Sequence, residues 1–171
     1  MQMVKKIFIA LAVIWFALLV FMPKQMLYYK LEQELANNAI KINEKSMDEG
    51  IFSFTVHQAD VYAKGIKLAS VEKIHFFTLL FYTKVTLEEL TLDDSLKSMA
   101  PTYTKEATAT YALWNPLYIG VEAKGSFGGL QGMAKLADKT LRLDFNESKG
   151  IEMLKPKLKQ DKKGWYYETS F

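Results

Sequence analysis

The side chains able to do chemistry in this chain are few and poorly placed for one another. His57 and His75 are the only histidines. His57 takes a polar-facing or bulged position in an alternating run, and His75 opens an apolar patch. A general base or nucleophile needs a partner that orients it, so both are read as structural. Successive strand residues point to opposite faces, so Glu88 and Glu89 form no carboxylate dyad unless a bulge turns them. Asp93-Asp94 has the chemistry of a turn. The serines stand in no nucleophile-elbow context, and Asn146-Glu147-Ser148 matches a glycosylation sequon by letter alone. Cysteine is absent, which removes disulfides and thiol catalysis and leaves His, Asp and Glu as side-chain metal ligands. The expectation is a protein that is not an enzyme, with no catalytic residue, cofactor or metal.

Charge narrows the partners. The net charge is +3, and Arg142 is the single arginine among 22 basic residues. Lysine lacks the planar fork that reads bases and phosphates, and no like-charge block stands out, so nucleic acid is excluded as a partner. The N-terminus speaks to location. Lys5 and Lys6 precede an uncharged apolar run from Ile7 to Met22, about 24 Å long as a helix. That is short of a hydrocarbon core of about 30 Å, but snorkelling lysines and local thinning extend the reach. No small-residue cleavage pattern follows the run, and it has no polar face to suit a core helix. Residues 1–22 are therefore expected to be an uncleaved transmembrane anchor, with a cleaved signal peptide as the alternative. The lysines favour a cytoplasmic N-terminus, which places the rest outside the cytosol.

The elements beyond the anchor change period twice. In residues 23–40, Leu27, Leu31 and Leu35 recur every four residues with Tyr28 beside them, one apolar stripe on a short amphipathic helix closed by Asn37 and Asn38. It serves either as a stalk packed on the domain or as a lid over a greasy groove. Residues 41–171 alternate with the period of strands. Phe52, Phe54 and Val56 share a face, and a phase shift then brings Ala59 and Val61 forward. Val85 and Leu87 give way to Leu90 and Leu92 across Glu88-Glu89, which predicts a bulge. Ala107, Ala109, Tyr111 and Leu113 face inward, and Leu117, Ile119 and Val121 continue the pattern. Leu141, Leu143 and Phe145 oppose Arg142 and Asp144. Five of the nine glycines fall between Gly120 and Gly132, where they predict sharp curvature. Tight turns join about eight to ten strands, the signature of an antiparallel meander. The last of them, Trp165 to Phe171, is expected at an edge.

The fold class expected is therefore mainly β: one transmembrane helix, a short amphipathic helix, then a single curved antiparallel meander shaped as a groove or half-barrel. Its one oily face can be closed by the sheet folding on itself, by a helix, or by a hydrophobic ligand. The candidate groove lining is Phe52, Phe54, Val56, Leu117, Ile119, Val121, Leu141, Leu143 and Phe145. The candidate lid is Leu27, Tyr28, Leu31 and Leu35.

Three stretches carry a family resemblance. "MPKQMLYYKLEQELANNAIKI" resembles the opening of GspN-type secretion proteins and related AsmA-like envelope proteins. "LLFYTKVTLEELTL" is similar to their apolar patch followed by a short alternating strand, and "GGLQGMAKLADKTLRLDF" to their glycine-led hairpin. The resemblance implies a bacterial inner-membrane protein, single-pass, with a periplasmic β-groove, linked to type II secretion or to lipid handling. The partners it implies are the bilayer, a bound lipid or acyl chain, and other envelope proteins. The alternative function is a structural subunit of an envelope machine that binds partners by strand addition.

Overall fold

The computed structural model describes residues 2–20, 24–79, 81–97, 100–147 and 150–171. The side chains of Gln2, Met3, residues 18–20 and 24–27, and Leu31 lie outside that description. Two helices precede the sheet, α1 (Gln2–Val20) and α2 (Lys24–Asn37). The expected membrane-crossing anchor is overturned: among the described residues, no helix is long and apolar enough to cross a membrane. Lys5 and Lys6 lie inside α1, and the uncharged stretch from Ile7 to Val20 spans only about 21 Å against a hydrocarbon core of about 30 Å. A single-pass topology is not carried forward.

The β reading holds. Among the described residues, eleven strands form one curved antiparallel sheet. They are β1 (Ile40–Asn43), β2 (Ser46–Glu49), β3 (Ser53–Ala63), β4 (Ile66–Leu79), β5 (Tyr82–Leu92), β6 (Tyr103–Ala112), β7 (Tyr118–Gly125), β8 (Gly128–Lys135), β9 (Thr140–Phe145), β10 (Lys159–Asp161) and β11 (Gly164–Ser170). The order is β1-β3-β4-β5-β6-β7-β8-β9-β11-β10, with β2 also on β3. β1 and β2 pair with successive parts of β3, so they act as one edge strand broken at Glu44-Lys45, a form that discourages edge pairing. From β3 to β9 each strand pairs with the next, through short turns except for the longer 93–102 connection, which holds a 3-10 turn at Asp94–Leu96.

The two phase shifts read from the sequence are one feature. Gln58 and Glu89 have φ of 50° and 53°. Register is kept on either side of them, with Ala59 opposite Val71 and Val71 opposite Leu90. The bulge expected across Glu88-Glu89 is absent, since β5 keeps its register with both β4 and β6; the left-handed backbone at Gln58 and Glu89 itself returns the next apolar side chain to the face it would otherwise leave. The line continues into β6, where register with β7 shifts between Thr104 and Glu106. The residues on this line, Gln58, Glu72, Glu89 and Lys105, are polar and exposed. A single apolar face therefore survives along the whole length of these strands.

Two clusters cover part of that face. In the first, Tyr28 of α2 packs on Phe54, Val56, Ala59, Val71 and Ile74. Its ring lies 5.5 Å from that of Phe54, and its hydroxyl donates to Glu44 Oε2 at 3.4 Å. In the second, Ile151 packs with Ala123, Phe127 and Phe145, flanked by Leu154, Leu158 and Trp165. Ile151 and Val56 are both 0% exposed, and each such side chain contributes about 1.5–3 kcal/mol on burial. Gly150 makes the second cover possible. Its φ is 83°, and a Cβ there would strike the Ser126 carbonyl oxygen.

Candidate functional site

Cross-strand register turns the alternating residues into rungs that run across the sheet. One rung is Val56–Ile74–Leu87–Ala107–Ala123–Leu130–Phe145–Trp165. It lies under the two clusters. The next is Phe54–Phe76–Val85–Ala109–Val121–Gly132–Leu143–Tyr167, and beyond it comes Thr78–Thr83–Tyr111–Ile119–Ala134–Leu141–Thr169. Ala109, Val121, Leu143, Tyr111, Ile119 and Leu141 are half-buried and belong to neither cluster. They form an apolar strip across β6 to β9, between the α2 cover and the Ile151 cover.

This arrangement sorts the nine predicted lining residues. Phe54, Val56 and Phe145 are buried in the protein's own clusters, so they are core. Ile119, Val121, Leu141 and Leu143 lie together on the strip. Phe52 is half-buried against the ring of Phe16, with centroids 6.0 Å apart. Leu117 sits in the turn before β7 and is exposed. Leu113, expected to face inward, is likewise exposed beyond the end of β6. Of the predicted lid, Tyr28 is buried and Leu35 half-buried, while the side chains of Leu27 and Leu31 fall outside the described residues. α2 thus packs as a cover over the β3–β5 end. Sequence reasoning left Ala109 and Tyr111 out of the lining although it placed them inward. The Ile151–Leu158 segment, readable as a helical turn or loop cut by Pro156, is turns and one short 3-10 helix, and the helical spacing of its apolar residues at 151, 154 and 158 signals the cover it provides.

Gly132 belongs to the strip for a steric reason. A Cβ at this position would collide with the Leu143 side chain and the Arg142 carbonyl oxygen. The glycine lets Leu143 fold over the backbone of β8, so at this position it serves close approach, where the sequence pointed to curvature.

The opposite face is polar and forms a hollow of about 1020 Å³ lined by Lys84, Glu106, Thr108, Glu122, Gln131, Arg142 and Asp144, among others. A groove with an oily floor was expected; here the hollow lies behind the strip, on the hydrophilic side. Its organiser is Arg142, whose guanidinium donates to Asp144 Oδ1 at 2.7 Å and Asp161 Oδ2 at 2.6 Å and lies 4.0 Å over the Tyr166 ring. These two carboxylates hold the guanidinium pKa above its ordinary value, Asp144 most strongly. Arg142, with the backbone N–H of Lys163, holds the Asp161 carboxyl below the usual range. An arginine so occupied serves the fold rather than a ligand.

The histidines are also engaged structurally. His75 Nδ1 lies 2.9 Å from Thr55 Oγ1, and His57 Nε2 lies 2.9 Å from Asp48 Oδ2. Glu88 accepts from Lys73 at 3.4 Å, while Glu89 accepts from the Tyr103 hydroxyl, so the two acids diverge. Among the described residues, no group of three or more His, Asp or Glu gathers to hold a metal ion. No family model, no curated protein and no solved structure matches this chain, so the strip and the hollow are the features from which its role is argued.

Proposed function

We propose that this chain is a non-enzymatic envelope protein that holds a lipid or another apolar chain along the open strip of its sheet. The observation that carries this reading is the row Ala109–Val121–Gly132–Leu143 and its neighbour Tyr111–Ile119–Ala134–Leu141, both outside the protein's own clusters. A one-layer sheet gains by covering such a surface, and each methylene withdrawn from water contributes about 0.8 kcal/mol. The strip is long and narrow between two covers, which suits an extended acyl chain better than a globular partner. The resemblance to GspN-type and AsmA-like proteins points toward the same ligand class and to a periplasmic location. The test is organic extraction of the full chain purified from bacterial cells, followed by mass spectrometry. Lipid is expected at stoichiometric level and should be lost from a Val121→Glu/Leu143→Glu variant. Equal lipid in both proteins would remove the strip from the account.

A second reading, strand addition by a partner protein, is favoured by one specific feature. β10 covers only Gly164, Trp165 and Tyr166 of β11, and among the described residues Tyr167 to Ser170 pair on their β9 side alone. The expected edge at the end of the chain is therefore present over half its length. Glu168, held by Lys159 Nζ at 3.3 Å, guards part of it with charge. Ser170→Pro should abolish capture of a partner that binds there: the Phe171 N–H donates to Lys139 on the β9 side, so the Ser170 N–H points to the open edge and proline removes that donor.

A further inference from the structure

The two ends of the sheet differ in chemistry. At one end the β2–β3, β4–β5, β6–β7 and β8–β9 turns and the end of β11 come together, and each presents an apolar side chain to solvent: Ile51, Phe81, Trp114, Leu136 and Phe171. Trp114 is 73% exposed and stacks on Tyr82 at 6.5 Å, with the ring planes 11° apart. At the opposite end the turns carry Lys64-Gly65, Asp93 to Lys97, Asn146-Glu147 and Lys162-Lys163, and Phe127 there folds inward to 5% exposure. Ile66 and Met153 are isolated exceptions at that end. At or just behind the apolar turns stand Lys84, Lys135 and Lys139, with Asp138 and, at the end of β2, Glu49 as acidic residues at the same end.

α1 belongs to the same end. Phe16 meets Phe52 next to the β2–β3 turn, and the apolar residues of α1 from Val4 to Phe16 are exposed on every side of the helix. A protein groove covers one side of a helix; hydrocarbon covers all of it. Indole rings favour the boundary between lipid and water, and lysines set behind them match anionic headgroups. We propose that this end of the sheet docks on an anionic lipid bilayer, with Phe81 and Trp114 seated at the interface, Lys84, Lys135 and Lys139 against headgroup phosphates, and α1 entering the same lipid. This surface is distinct from the strip, so the proposal stands or falls separately from it.

The test uses the full chain on mixed phosphatidylcholine and phosphatidylglycerol vesicles with acyl chains brominated near the headgroup. In a Trp15→Phe/Trp165→Phe variant, Trp114 emission should shift to the blue and be quenched. In a Trp15→Phe/Trp114→Phe variant, Trp165 should not be quenched, because it lies about 20 Å back along the strands. Hydrogen exchange on the unmodified protein gives an independent reading: vesicles should protect residues 113–117 and leave 162–163 unchanged. The proposal is overturned if Trp114 stays unquenched on vesicle-bound protein, which would leave α1 as the sole contact. It is equally overturned if both tryptophans quench alike, if no vesicle binding occurs, or if Trp114 is already blue-shifted in a lipid-free dimer, which would make a second copy the occupant.

Discussion

Ile151 shows how much a single residue can carry here. It is fully buried although it lies outside every strand, and it holds the second cover in place through Leu154 and Lys155 N–H bonds to its carbonyl at 2.8 and 3.0 Å. Ile151→Ala should cost about 2–5 kcal/mol, as large-to-small core changes do, measured by urea unfolding. Asp161 makes an electrostatic prediction. Its folded pKa is depressed, first by Arg142, so its contribution is present above the unfolded value of about 3.9 and is lost as pH falls through the lower folded value. Asp161→Asn should lower the Tm at neutral pH, and the gap from the parent should close as the pH is taken below 4, the ordinary carboxylate range. Melting curves across that range decide it. The role of Arg142 in this network was not legible in the sequence. Alternation placed Arg142 and Asp144 on one face, but Asp161 reaches them only because β11 and β10 fold back beside β9.

Between residue and molecule, the elements owe their shared face to the left-handed residues Gln58 and Glu89, which sit on one line across β3 to β5. The sequence showed each shift as a break in alternation, at Gln58 and at Glu89, and both breaks are real. What it could not show is that they align across neighbouring strands, since register is a property of pairs. Gln58→Val should destabilise by about 1–2 kcal/mol, because a branched Cβ is strained at positive φ, while Gln58→Gly should cost much less. Thermal unfolding of the two variants side by side separates backbone strain from loss of the 3.3 Å Gln58–Glu72 hydrogen bond, which both variants lack. Gly132→Val tests the strip in the same way: its side chain would push Leu143 off β8, so both stability and bound lipid should fall.

For the whole molecule, the sheet is one layer with two partial covers, an open apolar strip, a polar hollow behind it and one apolar end. A closed sandwich would have hidden the oily face entirely; the covers from α2 and the Ile151 segment hide one rung of β6 to β9 and leave the rows Ala109–Val121–Leu143 and Tyr111–Ile119–Leu141 outside both clusters. At this scale the prediction is that a fluorescent fatty-acid probe binds the parent protein and is lost from Leu143→Glu, while Glu106→Gln, on the polar face, leaves binding unchanged. Equal loss in both variants would place the probe in the hollow instead.

The sequence by itself determined the class of the fold. Period-two alternation between mostly tight turns points to an antiparallel meander with one oily face, because a parallel crossover needs about a dozen residues or more. It also located the breaks in that alternation and the helix that ends at Asn37. Tertiary structure alone decided which oily residues are core and which are surface. Phe54 and Leu143 read alike in the chain and share one rung, yet Tyr28 covers the first and neither cluster includes the second. Burial is set by what arrives from elsewhere in the chain, and local pattern holds no record of that. The same limit applies to α1. Composition marked it as apolar, but that no helix among the described residues is long and apolar enough to cross a bilayer is a matter of folded length.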